Sequence, residues 1–549
     1  MRLLLTLLVL SSILLAGCNP GLPSDGDNGD LQTSGYAAGM TDAEYASLTP
    51  EQQYQVARKL NGAMFKGVPV ESFFSGSATT TGTRSLARAA TVNDAKYLTN
   101  MRSALRTLVP NYQNDAVITE ISGVDAQGNP IPGGAKYNFS YDPNNDTNDY
   151  SARETPLAFI YEYPVSRDAF VHWMAWFLSN TIMFSPALEM ESTDINDGFN
   201  NYERLYTGLK NKQSVRQIIR SHLPTLSRWR VSRSAENHFL EAAELYLGLF
   251  DTKEDSRKGG IACKNYSLTG DDDGYQLRGT GIRNTVPQIV FGAYYIVDCE
   301  DVYDMIAGHP LVIPRVTEII VNSLMAESTN DVRQAMIQSI AGSNPETFED
   351  IFKAVLFSRQ YLLYTERPKS FEENYFSLLG TFKWNPDVGT GGDTNRDVFR
   401  NLASNQGNAI YLGDMSWAPM EYKIGRQAET PMDALSFANY HKAVREQLLR
   451  QINNYNRRII YTDNGSQLRS NIAVMTPEQY LNFLFLSALT RSALPVEQTD
   501  LFNIFVARGW TQQVNGQLRI RTGNYGDVAR LTFDYISRLP EFYYFPAIN

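Results

Sequence analysis

Ser234-Ala-Glu-Asn-His-Phe-Leu-Glu-Ala-Ala-Glu-Leu-Tyr-Leu-Gly-Leu-Phe250 reads as a capped helix that is apolar nearly all the way round. Ser234 is a good N-cap with Asn237 three positions on, and Gly248 and Asp251 mark the fading end. On a 3.6-residue period Phe239, Ala243, Tyr246 and Phe250 form one apolar stripe, and Leu240, Ala243 and Leu247 form a second. Asn237, Glu241 and Glu244 make the one polar line. A helix of this kind is buried on most sides and sets the expectation for the whole chain: a mainly α, multi-helix globular body with small β-hairpin and loop insertions.

The polar line supports two readings. It is either the solvent edge of a core helix or the wall of a cleft, where Glu241 and Glu244, with Asn237 and His309, would be the candidate catalytic residues of a carboxylate site. A divalent cation is the cofactor such a site would hold. Arg228, Arg230 and Arg233, just upstream, offer a third fate for the acids, as partners in ion pairs. The Glu-x-x-His pairs of a di-iron bundle are absent.

Several short motifs resemble one family. Glu236-Asn237, Glu241 and Glu244-Leu245 are similar to the Asn-Glu-Asn-Phe-Ala-Arg-Glu-Leu-Met-Glu-Leu signature of secreted bacterial proteins catalogued as domain of unknown function 1800. The chain departs from it at Ala235 and Leu240, which stand where the family has Asn and Arg. His309-Pro310, then Lys369-Ser370-Phe371-Glu372 before Leu378-Leu379-Gly380, and the closing Leu539-Pro540-Glu541-Phe542 resemble further family landmarks in the same order. His172 beside Trp173 falls where the family tends to carry a Trp-His pair, and a core histidine is the plain alternative. The resemblance implies a helical secreted protein and names no reaction.

The beginning of the chain carries the most specific signal. Met1-Arg2 and the apolar run Leu3–Leu15 have the charged start and short hydrophobic core of a secretory signal. Leu15-Ala16-Gly17-Cys18 resembles the lipobox of bacterial lipoproteins, which implies cleavage before Cys18 and a lipid, palmitate among its acyl chains, on the new N-terminus. Asn19 after it points to the outer membrane rather than the inner. The expected organisation is a signal peptide at 1–17, a flexible Gly/Asp/Asn/Ser-rich tether at 18–40, a main helical domain with loop insertions at 41–385, and a C-terminal helical region at 386–549 packed on it. The body would meet the membrane through the lipid at Cys18, and its partner would be an envelope protein or polymer.

With Cys18 assigned to lipid, Cys263 and Cys299 remain as a pair in an oxidising compartment. Bridging them would stabilise the fold by about 3–4 kcal/mol in the chain-entropy model. The net charge of −10 makes nucleic acid an unsuitable partner. After the signal, no stretch approaches the ~18 apolar residues of a membrane-spanning helix.

Other chemistry is thin. Asp142, Asn144 and Asp146 place oxygens at alternate positions, as a calcium loop begins, without the later Gly and Glu of that loop. Asp271–Gly274 and Asp393–Asp397 are similar and weaker. No Gly-x-Ser-x-Gly elbow, His-Glu-x-x-His motif or phosphate-binding loop occurs. Two classes therefore stand: a non-enzymatic binding or assembly module of the envelope, suggested by the tether and 31 Tyr, and a hydrolase or metal-dependent enzyme on the 234–250 helix.

Overall fold

The computed structural model describes residues 33–70, 96–108, 164–182, 204–225, 234–250, 252–271, 274–279, 284–382 and 467–548, with a few isolated positions besides. Over these it is mainly helical, with short two-stranded hairpins between helices. Local chemistry explains where the helices begin. Thr49, Ser214, Thr347, Ser370 and Thr476 each accept a hydrogen bond from the backbone three residues on, and the side chain there returns one to the cap. Each such box satisfies two otherwise orphaned N–H groups, and losing the cap side chain costs about 0.5–2 kcal/mol.

The aromatic-rich segment after Ser166 is the helix Arg167–Asn180. Phe170, Trp173, Trp176 and Phe177 are all buried. Trp173 and Phe177 meet the ring of Phe352 edge-on, with centroids 5.1 and 4.8 Å apart, tying this helix to Phe348–Leu356. Val312–Leu324 starts two residues ahead of Pro314, because a proline in the first turn removes an N–H that has no helical partner anyway.

Ala235–Leu247 forms as expected, from Ser234 to a left-handed Gly248. Its buried side includes Phe239, Ala243, Tyr246 and Leu247, whereas Phe250 lies beyond the helix end and is exposed. Against it packs Lys253–Ala262, a helix in a stretch whose glycines suggest a loop. Those glycines serve contact instead: a Cβ on Gly259 would fall 2.1 Å from the Phe239 ring, and one on Gly260 would touch Glu236. The sulfurs of Cys263 and Cys299 lie at bonding distance, 2.06 Å. They join the end of this helix to the start of Cys299–Gly308.

Three hairpins supply small β insertions of the expected kind. Tyr266–Asp271 pairs antiparallel with Gly274–Gly279, with Asp271 opposite Gly274, although the Gly-rich composition of 251–301 suggests irregular chain there. Asp271, the first of the acids that read as a weak calcium candidate, thus ends a strand, and Asp272 and Asp273 lie outside the described residues. The sequence suggests one β-like run at 289–297, and the chain there forms two strands, Gln288–Val290 and Tyr294–Ile296, because Phe291 and Gly292 both take positive φ and turn it. Thr511–Val514 and Gln517–Ile520 are joined by Asn515-Gly516, also at positive φ.

Order also starts earlier than the expected tether boundary. Ala37 and Met40 are buried, and the Met40 N–H donates to Phe357 O at 2.9 Å, so the chain is seated on the body before Thr41. A cavity of about 470 Å³ lies beside this segment, lined in part by Leu31, Met40, Arg102, Lys353 and Phe357. The sequence also suggests a helix at 432–456, of which only Ala438 and His441 are described, both helical, and strands at 117–124 and 136–141 and a loop at 75–91, which fall outside the described residues.

Candidate functional site

Glu241 and Glu244 are both half-buried. Asn237 donates from its side chain to Glu241 Oε1 at 3.3 Å, while its backbone N–H donates to the Ser234 hydroxyl at 3.1 Å. Asn237 is thus part of the helix start as well as of the polar line. His309 stands elsewhere. Its ring packs on Tyr294 and Phe291, and Phe291 in turn meets Phe239. At about 100° per residue, Phe239 lies about 200° from Glu241 and about 140° from Glu244, so His309 approaches the helix on a side away from the acids.

The role of His309 is at a helix junction. It ends Cys299–Gly308, its Nδ1 accepts the Leu311 N–H at 3.2 Å, and its carbonyl accepts from Arg216 at 3.0 Å. Burial and the nearby Arg216 charge lower its pKa. Among the described residues no group of three or more His, Cys, Asp or Glu side chains is arranged to hold a metal ion. Cys18, Asp142, Asn144, Asp146, Arg228, Arg230, Arg233 and the acids at 393–397 lie outside those residues.

His172, His222 and His238 are fully buried. His172 stacks on Tyr206 with centroids 4.4 Å apart, and His238 Nε2 lies 2.9 Å from the Tyr303 hydroxyl. Burial lowers His172 to about 3, helped by Lys210 and Lys66, and lowers His238 to about 4. A histidine whose folded pKa lies below its ordinary 6.5 stabilises the fold above pH 6.5, and that contribution drains away as pH falls through the folded value. Melting temperature should therefore drop between pH 6.5 and pH 4, and His238→Gln should flatten part of that slope. An unchanged slope in the variant, followed by circular dichroism, would count against this source of acid lability.

The densest charged assembly lies in a different place. Arg58 and Lys59 on Pro50–Ala63, and Arg367 and Lys369 around the short strand Arg367–Pro368, are all buried. Arg367 grips Glu373 with both terminal nitrogens, one at 2.9 Å, and also donates to the Tyr361 hydroxyl at 3.2 Å. Lys59 donates to the carbonyls of Thr365 and Pro546 and stands over the Tyr361 ring. Arg58 donates to the Thr381 hydroxyl. Lys369 Nζ and Asn374 Nδ2 both donate to Phe542 O, each at 3.1 Å.

Burial lowers the Lys369 amine to about 7, with Arg58 adding to the effect and Glu373 opposing it. Burial likewise holds Lys59 well below the ordinary lysine range, and Arg367 adds to it. An amine near neutrality is the form that serves as base or nucleophile, yet here it is committed to a main-chain carbonyl and roofed by Phe542 and Phe545. Two of the resemblance landmarks, Lys369–Glu372 and Leu539–Phe542, meet in this assembly. Their convergence was not apparent in the sequence, although Arg58-Lys59 interrupting the run Tyr54, Val56, Ala57, Leu60 was a signal that basic groups enter a buried face.

No protein-family model matches the chain, and no curated protein or solved structure matches it either.

Proposed function

We propose that the protein is a lipid-anchored component of the bacterial cell envelope, on the outer membrane, that holds an envelope protein or polymer, and that it is a diverged member of the family catalogued as domain of unknown function 1800. The anchor reading rests on Leu15-Ala16-Gly17-Cys18. Among the described residues no helix is long and apolar enough to cross a membrane, which leaves the lipid as the contact this reading uses. The contact between Lys369 and Phe542 supports the family reading, since two motifs far apart in sequence share one structural task.

The observation that carries binding over catalysis is the placement of His309. It is engaged by Leu311 and Arg216 on a side of the helix away from Glu241 and Glu244, so the four candidates do not assemble into an acid/base set. A cavity of about 470 Å³ beside the segment that follows the tether has the size of a ligand site, and its lining mixes apolar side chains with Arg102 and Lys353.

Detergent-phase partitioning and crosslinking from intact cells test the reading. Cys18→Ser should move the protein from the detergent phase to the aqueous phase and lose its envelope crosslinks. The Glu241→Gln/Glu244→Gln double variant should keep both properties. Metal-dependent hydrolysis by purified protein that disappears in the double variant would replace binding with catalysis.

A further inference from the structure

We propose that residues 540–548 form a latch over the body, and that the latch loosens when Lys369 gains a proton. The latch has little ladder of its own: Arg367 pairs with Phe545 and Pro368 with Tyr544, and the pairing stops there. Most of its hold comes from groups beneath it. The Lys369 N–H donates to Tyr543 O at 2.7 Å, and the Ile548 N–H donates to Leu363 O at 2.6 Å. Phe542 O takes both Lys369 Nζ and Asn374 Nδ2, and Pro546 O takes Lys59 Nζ. The Phe545 ring covers the Arg367 guanidinium at 4.8 Å and the Lys369 Nζ at 5.3 Å, filling space that Gly62 leaves open.

The groups facing Lys369 make an added proton costly while the latch is down. Arg58 comes from Pro50–Ala63, and Arg367 and Glu373 from the chain on either side of Lys369. Glu373 is already shared with Arg367. The latch itself supplies a carbonyl and two rings to this amine. Lys59, beside the same latch, is biased the same way by burial and Arg367, against Glu366, but its second acceptor, Thr365 O, lies outside the latch and keeps this amine in place when the latch lifts. The phenols of buried Tyr361 and half-buried Tyr544 are pushed upward and stay neutral near pH 7.

The direction follows from linkage. With the latch down the Lys369 pKa is about 7, against 10.5 for the amine in water. The open form therefore binds the proton more tightly, closure is favoured at high pH, and it weakens as pH falls to about 7, changing little below that. For those two values the opening equilibrium should rise about 30-fold from about pH 8.5 to about pH 5.5.

Amide hydrogen exchange on the full chain, read by mass spectrometry and corrected for the intrinsic pH dependence of exchange, measures this in the C-terminal peptide from Leu539. Protection there should fall about 30-fold over that range, while the peptide covering Ala235–Leu247 reports global opening as a control. Lys369→Met should remove most of the pH dependence. Lys59→Met should lower protection at both pH values and keep it. Constant protection in the wild-type chain overturns the proposal without recourse to any variant. So does a full pH response in Lys369→Met, or a response abolished by Lys59→Met.

Discussion

Glu373→Gln should destabilise the fold by about 3–5 kcal/mol, the usual cost of leaving one member of a buried ion pair without its partner. The substitution nearly preserves shape. Gln can still accept from the Ser370 N–H, which lies 2.7 Å from Glu373 Oε2, so the loss isolates the charge opposite Arg367. With Arg58 also buried nearby, removing this carboxylate strands a guanidinium beside a like charge. Replacing the pair together, as Arg367→Met/Glu373→Leu, should recover much of the loss, because apolar groups of similar volume need no partner. Urea unfolding of the three variants checks this. A single variant within 1 kcal/mol of the parent, or a double variant worse than the single, would contradict it.

Gly67→Ala should be at least as damaging, above about 3 kcal/mol, for a reason of space alone. A Cβ at Gly67 would stand 2.0 Å from Thr381 N and 2.2 Å from Gly380 C, and a Cβ at Gly380 would stand 2.8 Å from Gly67 N. Main chain meets main chain here, where the Phe371–Thr381 helix ends against the segment leaving Pro50–Ala63. No rotamer change relieves such a clash. Gly259→Ala offers the contrast, since its Cβ would press on the Phe239 ring, and about 1–3 kcal/mol is the ordinary cost of overpacking a side chain. Chemical denaturation should rank Gly67→Ala as the worse of the two. The reverse order would mean that the backbone crossing yields more readily than the ring.

Local signals were legible wherever one residue type has one job. Thr49-Pro50 and Thr476-Pro477 announced helix starts, and both are observed with complete capping boxes. The aromatic run 170–177 announced burial, and its rings are buried. Glycine was harder, because the same residue marks a loop, a turn and a close approach. Gly259-Gly260 suggests irregular chain and instead lets two helices touch, while Asn515-Gly516 does sit at a hairpin turn. Charge was hardest. Arg58 and Lys59 belong by composition on a solvated face, and their burial depends on acceptors hundreds of residues away, on Thr365, Pro546 and Thr381. Helical periodicity carries no information about partners at that distance. Of the candidate site, the polar line Asn237–Glu241 was visible from its spacing, whereas the separation of His309 from it depended on the Phe291-Gly292 turn that places Phe291 between.

The bond from Lys59 to Pro546 spans 487 positions, which sets the order of events when the chain is made. At about 5–20 residues per second, the ribosome takes roughly 25–100 s to deliver Pro546 after Lys59, and through that interval the early helix carries basic groups whose acceptors do not yet exist. Closing that contact waits until Pro546 has been made, because a pairing so distant in sequence pays its loop-closure entropy before the contact rewards it.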